Sequence, residues 1–341
     1  MKRFVLTLLF ISGIFVATQT EKAEALNLPP ADSGYAMTYG NFYSYSLPIL
    51  KEFLGDDYDV QSSVGQIKDT IVIATGASGN PVNENFPGMD NAYETPSGAS
   101  GSPTFGTGTV TDPQPDIEND REGTWDASIA SLVSYLGGQA PIFFFNNNQS
   151  DNVVDGVPQQ DLWVWAQIEI WSSSDDSAES IFFELTSTNG DGTGVYGGDP
   201  YAYEAHGAGY VPALPDNLPT AGTDYVLSGG DVCLDAAMSP VSCDSADVEY
   251  GPFAHNLGSD RAAYAVIAPG LNDFLFAWNG ENSPYDMISI DINMSSLNSG
   301  YEQAYIMPGT AGQTPPVPEP ATWLFMGLGL AGLAIFRRFR R

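Results

Sequence analysis

The chain holds 341 residues, with 42 acidic side chains against 11 basic ones and a formal net charge of −31. A surface this negative repels nucleic-acid phosphates and anionic lipid headgroups, so both are poor partners. Hydrophobic residues make up 43% and aromatics 12%, which argues against disorder and, with many Gly, Asn, Thr and Ser, points to a β-rich extracellular fold.

Lys2 and Arg3 precede an apolar run from Phe4 to Ala17, and Ala23-Glu24-Ala25 carries the small-x-small pattern of a signal-peptidase site. Residues 1–25 therefore read as a signal peptide cleaved after Ala25, with an uncleaved anchor as the alternative. Beyond it, residues 26–307 read as one β-rich extracytoplasmic domain, long enough to bury a substantial core. Within residues 26–317 only Lys51, Lys68, Arg121 and Arg261 oppose 39 acids, a net charge near −35. That charge attracts divalent cations, although solubility, as in a salty habitat, is the favoured reading.

Along the domain the first strand candidate is Tyr35–Ser46, followed by a short helix with Pro48 in its first turn. Thr70–Thr75 is a second strand. Residues 76–124 hold eight Gly and six Pro with little periodicity, and read as a long loop. From Asp126 to Leu136, Ile129, Leu132, Val133 and Leu136 fall at helical spacing, with Thr124 or Asp126 as cap and Gly137-Gly138 as stop. Ile142–Asn146 is the next strand.

Leu162–Ser172 is longer, with Leu162, Val164, Ala166, Ile168 and Ile170 on one face. Ser180–Thr186, Asp224–Leu227, Ala262–Ile267, Phe274–Trp278 and Tyr301–Met307 follow. In Met287–Met294 three isoleucines alternate with Ser289, Asp291 and Asn293, the period of a half-buried antiparallel strand. The sum predicts a mainly β fold, an antiparallel sandwich or jelly-roll-like arrangement with one or two short helices.

Candidate chemistry is sparse. Trp163, Trp165 and Trp171 share the second face of the 162–172 strand. Neighbours at i and i+2 there stand roughly 6.7 Å apart, a spacing suited to stacking sugar rings. Burial between two layers is the competing reading, and Gln167 and Glu169 on the same face favour a partly wet surface. Asn189, Asp191 and Thr193 alternate as hard-oxygen Ca²⁺ ligands do, but position 12 of that loop is Pro200 where a Glu is needed. Asp151 with Asp155-Gly156, and Asp116, Glu118 and Asp120, are similarly partial.

Gly192-Thr193-Gly194-Val195-Tyr196-Gly197 matches G-x-G-x-x-G, yet Gly198-Asp199-Pro200 will not open the required helix. His206 and His255 read as loop residues, and no G-x-S-x-G nominates a serine nucleophile. With 39 carboxylates, some pair at glycosidase spacing is guaranteed and carries no information. Cys233 and Cys243, alone in an exported chain, read as a disulfide closing an 11-residue loop.

Residues 308–316 read as a Pro/Gly/Thr linker. Then come Val317-Pro318-Glu319-Pro320, an apolar segment 321–336 that predicts a transmembrane helix, and Arg337, Arg338, Phe339, Arg340 and Arg341. Sixteen residues span roughly 24 Å, short of a ~30 Å hydrocarbon core, so Trp323 and snorkelling arginines must make up the difference. The arginines stay cytoplasmic by the positive-inside rule, which leaves residues 26–316 on the far side.

This tripartite tail, 317–341, resembles the PEP-CTERM sorting signal of Gram-negative bacteria, whose sorting-motif residues here are Pro318, Glu319, Pro320, Arg337, Arg338, Arg340 and Arg341. The same tail is sometimes labelled an ice-binding protein C-terminal domain, a label that does not show ice binding. Asp161–Gln167, Phe183–Thr186 and Tyr225–Gly230 also resemble ectodomains of unassigned function in other PEP-CTERM proteins.

The resemblance implies export with an inner-membrane intermediate and a periplasmic ectodomain, then processing by an exosortase and release to the cell surface or extracellular matrix. Signal peptidase and exosortase are the implied processing partners, and exopolysaccharide the implied surroundings. The expectation is a non-enzymatic envelope or matrix protein without a cofactor, Ca²⁺ being the one ion worth considering. A carbohydrate-binding module using Trp163, Trp165 and Trp171 is the alternative, and a secreted hydrolase a more distant third.

Overall fold

The computed structural model describes residues 25–76, 81–96, 104–111, 113, 117–148, 153–154, 157–158, 162–185, 226–228, 230–295, 297 and 301–312. The signal peptide up to residue 24, the sorting tail, His206, the G-x-G-x-x-G stretch and Asn189, Asp191 and Thr193 lie outside the described residues, as do Asp116, Asp151, Asp155 and Gly156.

The chain opens with strands β1 (Leu26–Leu28), β2 (Ala36–Tyr39) and β3 (Phe42–Ser46). Helices α1 (Leu47–Leu54) and α2 (Val64–Ile67) lead to β4 (Ile71–Thr75), β5 (Tyr93–Glu94), β6 (Thr104–Gly106) and β7 (Trp125–Ser128). Helix α3 (Ile129–Leu136) precedes β8 (Ala140–Asn146), the short ribbon β9 (Val153–Val154) and β10 (Val157–Pro158), and β11 (Trp163–Trp171). Next come β12 (Ile181–Leu185), β13 (Val226–Leu227), β14 (Asp231–Leu234), β15 (Pro240–Val241) and β16 (Tyr250–Ala254). Strand β17 (Ala262–Ile267), helix α4 (Pro269–Ala277), β18 (Met287–Ser295) and β19 (Ala304–Ala311) complete it.

One sheet runs β2-β3-β17-β8-β19-β4-β5, with β1 alongside β19. The other runs β12-β11-β18-β6, with β13 on β11 and β7 on β18. Pairing is antiparallel apart from β1 on β19 and β4 on β5. The mainly β, antiparallel architecture expected from the short alternating segments is what forms, with no barrel closure among the described residues.

Two cores follow from strand alternation. Between the sheets, Ile71, Ile73 and Ile306 of the large sheet meet Val164, Ile168, Ile170, Ile288, Ile290 and Ile292 of the smaller one, together with Trp125 and α3. On the far side of the large sheet, Tyr45, Val72, Phe144, Ala265 and Tyr305 are covered by Leu47 and Leu50 of α1, Ile67 of α2 and Leu26 and Leu28 of β1. Among the described residues, a cavity of about 160 Å³ lies between β3, β8 and β17 on one side and β11 and β18 on the other.

Local sequence explains several departures from expectation. Tyr35–Ser46 is a hairpin, because Gly40, with φ of 60°, turns the chain between β2 and β3. Ser46 ends β3 and caps α1, its Oγ accepting the Ile49 N–H at 3.3 Å. Helix α3 starts later than expected: Asp126 pairs with Ser289 inside β7, and Ser128 supplies the cap to the Ser131 N–H.

Phe274–Trp278 is not a strand. Pro269 opens a helix whose buried Leu271 and Leu275 are one turn apart, while Phe276 is exposed. The Gly/Pro-rich stretch contributes β5 and β6, and Asn85 pins it by accepting the Val72 N–H at 2.8 Å and donating to the Val72 carbonyl at 2.7 Å. Pro308–Ala311, expected as linker, belong to β19. Four helices stand among the described residues where one or two were expected.

Candidate functional site: the outer face of the smaller sheet

Alternation along β11 turns Trp163, Trp165, Gln167, Glu169 and Trp171 away from the inter-sheet core, opposite Ser295, Asn293, Asp291, Ser289 and Met287 of β18. The three tryptophans share a face but differ in burial. Trp163 is fully buried. Trp171 is 8% exposed, donates to Ser289 Oγ at 2.7 Å, and is roofed by the Arg121 guanidinium 3.6 Å above its ring. Arg121 is held there by Glu169, whose Oε2 accepts from it at 2.6 Å. Trp165 alone of the three is half-buried, with Nε1 donating to Glu184 Oε1 at 2.9 Å. The face thus offers one accessible indole bordered by Gln167, Glu184, Asp291 and Asn293.

Next to it sits a carboxylate cluster that no local spacing announces. Oxygens of Asp90, Asp120 and Asp126 lie within 4.8 Å of one another, and Asp90 and Asp126 are fully buried. Asp90 Oδ2 accepts the Asp126 N–H at 2.6 Å, while its carbonyl accepts Trp125 Nε1 at 3.2 Å. Asp126 accepts the Arg121 N–H at 2.6 Å and the Thr124 hydroxyl at 3.1 Å.

Burial pushes the Asp126 carboxyl above the ordinary carboxylate range despite these donors, including Ser289. Asp291 is raised by burial too, with Thr107 and Asn293 pulling the other way. Carboxylates this close share a proton or hold a cation. Of the residues with oxygen-ligand spacing in the sequence, Asp120 belongs to the cluster, and Glu118 is exposed beside it. Asp90 and Asp126 stand 36 positions apart, brought together by the bridge between Met89 and Ala127, so periodicity could not have found them.

His255, expected in a loop, is fully buried just after β16. Its Nε2 lies 2.7 Å from Ser46 Oγ and its ring stacks on Tyr264 with centroids 4.8 Å apart. Burial depresses its pKa to about 4, against a smaller upward pull from the carbonyls of Phe253 and Gly230. The pair supplies a serine and a histidine, but the ring's other neighbours are the Phe253 and Gly230 carbonyls, where a nucleophilic triad places a carboxylate. Cys233 and Cys243 form the disulfide, closing the loop that joins β14 to β15.

Residues 26–293 match the family described as Domain of unknown function (DUF8239). The chain belongs to this family. Residues 316–341 match the PEP-CTERM protein-sorting motif. No curated protein and no solved structure matches the chain. The DUF8239 match ends inside β18, yet β19 lies between β8 and β4 in the large sheet, so the folded unit of this DUF8239 protein reaches past the matched span. The motif that follows makes it an exported protein, sorted through an exosortase and anchored in the membrane while that happens.

Proposed function

We propose that this DUF8239 protein is a non-enzymatic component of the cell envelope or exopolysaccharide matrix, delivered through its sorting motif. The observation that carries the reading is a disulfide-stapled, strongly acidic β domain joined to a PEP-CTERM tail. A matrix or surface protein needs a stable, soluble, polar-faced domain and a means of leaving the inner membrane, and the chain supplies both. Signal peptidase acts at Ala25, exosortase at the Pro318-Glu319-Pro320 motif, and neither step requires a bound cofactor. Replacing Pro318, Glu319 and Pro320 together with Ala tests it: full-length protein is expected to accumulate in the inner membrane. An unchanged mature species at an unchanged location would reduce the tail to a plain anchor.

A second reading, carbohydrate binding, is favoured by Trp165. Its half-buried ring stands among carboxylate, amide and carboxamide groups that suit sugar hydroxyls. In this reading Trp163 and Trp171 support the face from beneath and do not touch the sugar. Trp165→Ala is then expected to abolish retention on host exopolysaccharide with the melting temperature nearly unchanged. Equal retention by the variant would refute it.

A further inference from the structure

The cavity between the sheets is walled by Phe143, Phe145, Val164, Ala166, Val232 and Ile292 among others, and among the described residues no charged side chain lines it. Phe143, Phe145, Ala166 and Tyr264 retain accessible surface because they face this void. Apolar pockets of this size take up molecules of about the size of one aromatic ring. The wall also carries Ser228, more than nine-tenths buried, whose Oγ lacks a partner. Buried polar atoms are ordinarily paired, so an unpaired one on an apolar wall points to a missing partner.

The Ser228 hydroxyl suits a carbonyl or hydroxyl oxygen. A charged head group would be stripped of water with no counter-charge on the wall to replace it. We propose that this cavity binds a small uncharged amphiphile, its apolar body filling the void and its hydroxyl or carbonyl meeting Ser228 Oγ.

The test uses the full chain in lipid nanodiscs and equilibrium dialysis with radiolabelled benzyl alcohol or benzoate. Ala166→Phe, which fills the void from β11, supplies the background for uptake by lipid. Wild type is expected to retain one benzyl alcohol per chain above the variant, and no benzoate. Ser228→Ala is expected to weaken retention about tenfold. Equal retention of benzyl alcohol by wild type and Ala166→Phe would overturn the site. Equal retention of benzoate would overturn the uncharged head group. Should Ala166→Phe fail to fold, Ser228→Ala still decides, because unchanged affinity there contradicts the polar end.

Discussion

At the scale of single residues, His255 is the most informative side chain. It is neutral in the folded protein because burial outweighs the two nearby carbonyls, with a pKa lowered to about 4 from an ordinary 6.5. As pH falls from 6.5 towards 4, the unfolded chain takes up a proton that the folded chain refuses, so stability declines. The loss across that window is up to about 3 kcal/mol. His255→Gln, which retains a polar contact for Ser46, is expected to flatten this limb in denaturant melts at pH 7 and pH 4.5. An identical pH dependence in the variant would show that the ring titrates normally.

Asp126 and Asp291 act with the opposite sign. Their raised folded pKa values mean the folded state holds protons better, so their contribution falls as pH rises through the window above 3.8. None of this was legible from the sequence. His255 looks like a loop residue because its neighbours Pro252 and Asn256 do, and its burial comes from Tyr264 of the next strand and from Ser46, 209 positions away.

At the scale of elements, strands with strict alternation declared themselves, and those whose register depends on distant partners did not. Strands β11 and β18 were readable because Ile, Val and Ala alternate with polar or indole side chains, and the two pair across nine positions. Strand β7 was hidden because Trp125–Ser128 runs without a break into a helix of clear periodicity. Strands β5 and β6 were hidden because side chains such as Asn85, and not apolar periodicity, fix their surroundings.

The tryptophan face shows the same division: alternation put three indoles on one side, but their burial differs, and the roof over Trp171 is Arg121, which arrives from the Gly/Pro-rich stretch. Trp163→Ala is therefore expected to cost about 3–5 kcal/mol in chemical denaturation, as for any large core aromatic. Trp165→Ala should cost far less. Similar losses at both positions would contradict the burial difference. The disulfide was legible because the chain has two cysteines and exported proteins oxidise them. Replacing both Cys233 and Cys243 with Ser is expected to remove about 3 kcal/mol, read from the shift in denaturation midpoint. No shift would mean the hairpin between β14 and β15 is held by its strands alone.

At the scale of the whole molecule, address and activity are encoded differently. The address is local and ordered, a short motif, an apolar segment and a basic end, so it could be read directly and is matched as a sorting motif. The carboxylate cluster, the roofed tryptophan and the inter-sheet cavity are assembled from distant segments, and only the folded chain brings them together. The central claim is that residues 26 to about 316 are exported and released from the membrane through the tail. Intact-mass measurement of the protein recovered from fractionated native host cells tests it most directly. The account predicts a species starting at residue 26, shortened at or near Pro318–Pro320, and outside the inner membrane. A full-length C-terminus ending in Arg341 and retained in the inner membrane would contradict it.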